Sequence, residues 1–500
     1  MHRKMGGGQI CERCAQLLKD FVAFVRRMSA DLAQKVRDCI TAISECCCLQ
    51  REATGIGKLY KPVLRQHERK AAQEFLQHLD TGTEIPLLDS KCLQALKTLA
   101  VSENSDLQRS AAIYYLHISQ QLKTPLPTEF LEPYNALLQS SDLEVQRIAS
   151  LSLVNLLVEE NVNKELVVEL DMVDPILELL QSGDHTVQCN SCACVATLAT
   201  SDSNREAIVS AGGVLPVLVL TKSYDPRVQQ NAVGAILNLT RSESSLSVLC
   251  REGALPVLAL LLQSADSEIQ YYSCSALTNI ATKPEYHRTM LQIGDCFLLK
   301  ALLSLMSSSV QKNSCQACRC LTNLCVKVST QEELVSLGCV PRLRDMLQSS
   351  TEPVAEAAVT LLCALSETSP NREVIVEEGL LKTLGELLLH HKTNSTVLSH
   401  SAITIHNLSL SDNAQVVIDS GCLNGLLQAL VSADTGEALL CVTACLNKFI
   451  RIELLKSHIC EKLTAEYISR LKSLEVQKEN DELSLNSASI IRQLELQEET

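Results

Sequence analysis

The 500-residue chain contains no Trp, and aromatic residues make up only 3% of it. Because 46% of it is nonetheless hydrophobic, the core must be built from Leu, Ile, Val, Ala and Cys. Thirteen Pro and 18 Gly are too few for the many turns of an all-β sandwich. There is no excess of positive charge: the formal net charge of −14 argues against nucleic acid as a partner, since a phosphate backbone demands a basic surface. No run approaches the roughly 18 apolar residues of a membrane span. The start, MHRKMGGGQICERC, lacks the apolar core of a signal peptide. With 20% charged residues and ample apolar surface, wholesale disorder is excluded. The composition describes a folded, aliphatic, all-α protein.

The charge is unevenly placed. Residues 1–70 carry 14 Lys/Arg against 7 Asp/Glu, a balance of +7 that leaves −21 for the remainder (−14 less +7). Such a basic end is either drawn to an anionic membrane surface or is an ordinary solvated helical face. The 23 Cys, in a chain with no export signal, are expected to act as small buried hydrophobes. Two CxxCxC runs, Cys189/Cys192/Cys194 and Cys315/Cys318/Cys320, look like metal motifs. On a helix, however, the third Cys points about 140° away from the first. No second pair completes a four-ligand set at zinc spacing, so core packing is the expectation and no metal is assigned.

Self-comparison is the most informative step. A phrase recurs as LQRSAAIYYLHI (107–118), VQRIASLSLVNL (145–156), VQCNSCACVATL (187–198), VQQNAVGAILNL (228–239) and IQYYSCSALTNI (269–280). It continues as NSCQACRCLTNL (313–324), VAEAAVTLLCAL (354–365), VLSHSAITIHNL (397–408) and EALLCVTACLNK (437–448). The second residues of these copies, 108 to 438, are separated by 38, 42, 41, 41, 44, 41, 43 and 40 positions. Each period predicts a short helix ending at a Gly (213, 253, 294, 338, 379, 421), two longer helices, and a Ser/Asp-rich turn before the last. Pro216, Pro256 and Pro341 fall in the first turn of the middle helix, where a missing N–H costs nothing. The third helix is apolar nearly all round, as Cys274, Ala276, Leu277 and Ile280 illustrate, so one unit alone cannot shield it. Neighbours must stack, giving a right-handed superhelical solenoid with one continuous core.

Nine residues after each anchor lies a polar position on the third helix: Asn155, Asn238, Asn279, Asn323, Asn407 and Asn447, with His117, Thr197 and Ala364 in the other copies. An Asn offers donors and an acceptor, so an amide ladder on the inner surface could pair with the backbone of an extended partner. Equally, each amide could tie its helix to the next unit. Four residues before each Asn, only Arg319 is charged. No GxSxG, GxxxxGKS/T or HExxH occurs, and His390/His391 sits in a predicted turn. No catalytic, cofactor-binding or metal-binding residue is therefore assigned.

On LQRSAA (107–112), LLQSSDLEVQ (137–146), VQCNSCACVATLATSDSN (187–204), VQQNAVGAILNLTRSE (228–243) and GALPVLALLLQSADSEIQYYSCSALTNIA (253–281), the chain resembles the armadillo family. Within it the similarity is to the vacuolar protein 8 group of membrane-anchored scaffolds, over roughly residues 68–460. The resemblance implies a non-enzymatic adaptor on the cytosolic face of the vacuole or lysosome. Partner segments from proteins of autophagy, organelle inheritance and membrane contact sites would lie in its groove. The group is anchored by a myristoylated Gly after the initiator Met and by palmitoylated Cys. Here the chain opens MHRK, and only a start at Met5 would expose Gly6, with Cys11 and Cys14 nearby and Ile10 where Ser or Thr is preferred. Cys46, Cys47 and Cys48 form a second palmitoylation candidate, and two membrane signals are needed for stable attachment.

The expected organisation is thus a basic, Cys-containing N-terminal helical anchor segment (1–80), about nine armadillo repeats (85–460) and a charged helical tail (461–500), which could cap the last unit, fold over the groove or stay mobile. Two alternatives share the fold. One is a soluble cytosolic or junctional scaffold with no lipid. The other is an importin-α-like carrier, which would array Trp beside its Asn ladder.

Overall fold

A computed structural model describes residues 64–80, 88–391, 393–409, 413–434, 436–476 and 481–498. The anchor candidates Gly6, Cys11, Cys14, Cys46, Cys47 and Cys48 lie outside the described residues. Among those described there is no strand. All nine copies of the recurring phrase are long helices: α1 (Ser105–Gln121), α2 (Leu143–Val158), α3 (His185–Leu198), α4 (Pro226–Leu239), α5 (Ser267–Ala281), α6 (Gln311–Leu324), α7 (Glu352–Ser366), α8 (Ser395–Leu408) and α9 (Gly436–Phe449). A tenth long helix, α10 (Asp481–Glu498), follows in the tail.

The phrase starts where it does for a local reason. In LLQSSDLEVQ, LLQSADSEIQ and their relatives, the Asp is the N-cap of the long helix. Asp142, Asp184, Asp225 and Asp266 each accept from the backbone N–H groups two and three residues on, satisfying donors that the helix itself leaves unpaired. The hydroxyl two residues earlier (Ser140, Ser182, Ser223, Ser264) accepts from the Asp N–H at 3.1–3.2 Å. The Gln of the phrase (Gln146, Gln188, Gln270) then reaches back to that Ser carbonyl at 2.7–2.9 Å. The intervening Val145, Val187, Val228 and Ile269 are buried. One seven-residue pattern thus fixes the turn, the cap and the first core contact of the helix.

The first two helices of each unit are both short. The middle helix is the shorter of the two in Asp202–Ser210 and Val214–Leu220 (9 and 7 residues) and the longer in Ala414–Ser420 and Cys422–Ser432 (7 and 11 residues), so the expected longer middle helix holds in some units only. Pro216, Pro256 and Pro341 do sit in its first turn. Gly253, Gly294, Gly338, Gly379 and Gly421 have the expected positive φ. In the fourth copy the left-handed residue is Gly212 rather than Gly213. Gly213 is right-handed, and a Cβ there would meet Ile208 and Leu177 at 2.9 Å, so the second Gly answers crowding rather than chirality.

The described residues divide into two compact units, one ending at Val257 and the other beginning at Leu258. In the first, α1 packs on α2, α2 on α3 and α3 on α4; in the second, α5 to α10 stack in the same successive way. First helices touch first helices and middle helices touch middle helices, giving three stacked layers within each unit. Third-helix side chains such as Leu153, Val195, Ile236, Leu277, Leu321 and Ile405 are at most 1% exposed. Each such residue contributes roughly 1.5–3 kcal/mol by leaving water. Near the start of the first unit Tyr115 and Tyr134 meet edge to face at 4.7 Å. At the far end, Glu453–Lys462, Ala465–Glu475 and α10 repeat the three-helix order, with α10 packed on α9 and on the helix before it. The described residues of the tail, 461–476 and 481–498, therefore continue the stack rather than crossing its face.

Candidate functional site

The polar positions of the third helices lie at the seams between repeats. The Asn238 amide donates to the Ala196 carbonyl at 2.7 Å, and Asn323 to the Thr278 carbonyl at 3.2 Å. Each acceptor immediately precedes the corresponding position, Thr197 or Asn279, on the helix before. Two others use a hydroxyl instead: Asn155 donates to Ser119 Oγ at 3.1 Å and Asn407 to Ser366 Oγ at 3.0 Å. The amide nitrogens therefore stitch successive repeats together. Asn155 is fully buried, whereas Asn238, Asn279, Asn323 and Asn407 are half-buried and keep a side open to solvent.

In the ninth repeat the position is filled by Lys448. Its Nζ donates to the His406 carbonyl at 2.6 Å, and His406 precedes Asn407 as Ala196 precedes Thr197. Asn447, one residue earlier, turns the other way. It is 8% exposed, donates to Asn486 Oδ1 at 3.0 Å and accepts from Ser489, both on α10. An anchor at 439 makes the preceding step 41, the common value in the array.

Two further polar rows escape the sequence phrase. Closer to the helix starts, Asn190 donates to Ser150 Oγ, Asn231 to the Cys189 carbonyl and Gln316 to Thr278 Oγ1. At the helix ends, the first helix of the next unit supplies a C-terminal cap: Arg205 to the Ala199 carbonyl, His287 to that of Ala281, Gln331 to that of Cys325 and Arg372 to that of Ser366. Each donor lies six residues beyond its acceptor, an offset that could have been found by scanning for donors at constant distance from the repeated phrase. Orphan carbonyls and the negative helix end both favour such donors.

Between these rows the third helices expose a chemically mixed face. On α5 and α6, the Lys312 ammonium lies 4.8 Å from the Tyr271 ring centroid and pairs with Glu268. Arg319 is exposed one turn before Asn323 and close enough to favour ionised Tyr271, although burial still drives that phenol upward. Next along come Glu356 and Thr360 on α7, then His400 on α8, whose Nδ1 lies 2.9 Å from Thr360 Oγ1. Burial depresses the His400 pKa, while Glu437 and Glu356 oppose that shift.

The cysteine runs lie in the core. Cys192, Cys194, Cys318 and Cys320 are at most 1% exposed, and all cysteines among the described residues are free thiols. Burial drives the Cys320 thiol up to about 12 and Cys318 well above its usual range, so both stay protonated. Among the described residues no cluster of His, Cys, Asp or Glu could hold a metal ion, and no single helix is long and apolar enough to cross a membrane.

A family profile described as armadillo/β-catenin-like repeat matches residues 160–200, 201–241 and 246–282. Those bounds coincide with three successive three-helix units. Vacuolar protein 8 of Gibberella zeae is 43% identical over 127 residues, 25% of this chain and 22% of that one. The Komagataella pastoris protein of the same name is 41% identical over 125 residues, again 25% and 22%. The match thus spans about a fifth of these curated relatives' length. The crystal structure of an engineered protein superposes with TM-score 0.67 at 24% identity, covering 81% of this chain and 98% of that one, a likeness of fold. Stacked three-helix units and the matched repeats lead to one conclusion: the chain carries armadillo repeats.

Proposed function

We propose that this chain is a non-enzymatic scaffold that holds extended segments of partner proteins along the exposed face of its third helices. The observation that carries this is the composition of that face. Tyr271 on α5, Lys312 and Arg319 on α6, Thr360 on α7 and His400 on α8 come from four successive third helices, projecting aromatic, basic and hydroxyl groups from a rigid stack. Rigid elements present such groups without an ordering cost on binding. In the second unit the half-buried amides Asn279, Asn323 and Asn407 line the same face, and Asn238 holds the corresponding position on the third helix α4 of the first. One N–H of Asn238, Asn323 and Asn407 serves the fold, which leaves the second N–H and the carbonyl oxygen of each for a partner. Asn155 and Asn447 are buried at seams between repeats, each within its own unit, and support the stack from beneath. The test is co-purification with the triple variant Tyr271→Ala, Arg319→Glu, Thr360→Lys. Partners should be lost while the melting temperature stays near the parent's, and unchanged capture would refute the proposal.

We further propose attachment to the cytosolic face of a vacuolar or lysosomal membrane, with roles in autophagy, organelle inheritance or membrane contact; the relatives' name supports the vacuolar association alone. Gly6 (after a start at Met5), Cys11, Cys14 and Cys46–Cys48 are the acylation candidates, and the +7 segment adds electrostatic attraction. A variant with these five Cys changed to Ser should leave the membrane fraction. If it sediments like the parent, the anchor proposal fails and the lipid-free scaffold stands.

A further inference from the structure

Most cations between repeats have an acidic neighbour. Arg109 pairs with Asp142, Arg147 with Asp184 and Lys312 with Glu268. Among the described residues of the second unit, Lys462 and Arg470 bond only neutral oxygens across the repeats, and one clustered group departs from that rule as well. Arg372, on the helix Ser369–Glu377, donates from Nε to the Ser366 carbonyl and from Nη2 to the Glu367 carbonyl, both at 2.8 Å. Asn407 donates to Ser366 Oγ, and Lys448 donates to the carbonyl of His406. Arg372, His406, Asn407 and Lys448 therefore meet around the C-terminal ends of α7 and α8, all of them half-buried. Among the described residues neither Arg372 nor Lys448 has a carboxylate within ion-pair distance.

Burial and the charge of Lys448 and Arg372 lower the His406 pKa, and burial together with the Arg372 charge depresses that of Lys448. The helix ends offset only part of this, since each carries roughly half a negative charge. An ammonium has three N–H groups and a guanidinium five, so donors remain on both after the carbonyls are served. In the other repeats the residue after the ladder position packs in the core, and Phe449 does so here, so the ammonium is held at the rim of a packed seam.

We propose that Arg372, Lys448, His406 and Asn407 form an anion subsite that takes the carboxylate of a Glu or Asp side chain in a partner segment. This rests on the scaffold reading above and names the partner chemistry at one end of the face. A guanidinium and an ammonium converging on one carboxylate make charge-assisted hydrogen bonds, stronger than neutral ones. The subsite selects an acidic residue at one place, whereas the α5–α6 part of the face already supplies its own Glu268 to Lys312.

Two measurements on the full chain test it. In fluorescence anisotropy, a fluorescein-labelled Glu-rich octapeptide should bind about tenfold more tightly than its Gln counterpart. The double variant Lys448→Met, Arg372→Gln should abolish that preference and leave the Gln peptide unchanged. Equal binding of the two peptides to the parent, or an undiminished preference in the variant, overturns the subsite. In thermal melting, inorganic sulfate should raise the parent's midpoint at constant ionic strength and not the variant's. An equal rise in both overturns it as well. The two proposals fail separately: a Glu preference that survives Tyr271→Ala, Arg319→Glu, Thr360→Lys with undiminished affinity keeps the subsite but removes the extended face.

Discussion

Two middle helices of neighbouring repeats, Leu380–His390 and Cys422–Ser432, approach so closely that glycines are required on both. A Cβ at Gly425 would lie 2.4 Å from the Gly385 carbonyl oxygen and 3.1 Å from its Cα. One at Gly385 would lie 2.6 Å from the Cys422 Cα. These are backbone atoms of packed helices, so no side chain can swing aside and the helices themselves must separate. Overpacking of this kind costs about 1–3 kcal/mol. Against it stands the gain of about 1 kcal/mol that Ala brings over Gly in a helix interior. With backbone atoms 2.4 and 3.1 Å away the upper part of that range applies, about 2–3 kcal/mol, so crowding wins and Gly425→Ala should destabilise by about 1–2 kcal/mol. Gly234, in the middle of α4, has nothing within 4 Å of its Cβ site, so Gly234→Ala should stabilise by about 1 kcal/mol. Urea denaturation followed by circular dichroism measures both. Because repeat arrays can lose all-or-none behaviour, hydrogen exchange over 380–432 should accompany it. If Gly425→Ala matched or exceeded the parent in stability, the reasoning about this helix contact would be refuted.

Other outcomes follow from the same geometry. Asp225→Ala removes the N-cap of α4 and should cost about 1 kcal/mol, while Asp225→Asn, which can still cap, should cost less. The Arg227 side-chain hydrogen bond, with backbone N–H groups, lowers the Asp225 pKa to about 2. A depressed carboxylate stabilises above its unfolded pKa near 4, so its share should fade between about pH 4 and pH 2, and melts of the Asn variant should lack that component. Asn323→Ala leaves the Thr278 carbonyl without its amide donor and should cost about 1–3 kcal/mol, read as a lower urea midpoint. Timed thiol labelling with mass spectrometry should leave Cys194, Cys318 and Cys320 unmodified in the native protein at pH 8, whereas the half-buried Cys250, Cys296 and Cys460 label before them.

How much of this was legible beforehand depended on whether a feature repeats. The third helices were, because their buried positions recur with the phrase and an Asp or Asn at the start marks most of them. The amide row was legible as a row, but not its direction. Side-chain letters do not show whether Asn238 faces a partner or the Ala196 carbonyl 42 residues back. Lys448 escaped because an Asn stands beside it, and matching letters chose the amide over the residue that occupies the position. Gly213 was assigned the left-handed turn for a similar reason: two adjacent glycines look interchangeable until Ile208 and Leu177 are placed around the second. Gly385 and Gly425 gave no signal, since a close approach between helices 40 residues apart leaves no periodic trace. The mixed face from Tyr271 to His400 combines residues that vary from copy to copy. Repetition is what a stack requires of its core, and variation is what a binding face requires of its surface.

The central claim, that partner segments lie along the exposed third helices, is tested most directly by site-specific photo-crosslinking. The crosslinker would replace Arg319 or Thr360 on that face, or Leu389, exposed on the middle helix Leu380–His390 of the same unit. Partner adducts at 319 and 360 with none at 389 are the predicted result. Adducts at 389 alone would contradict it.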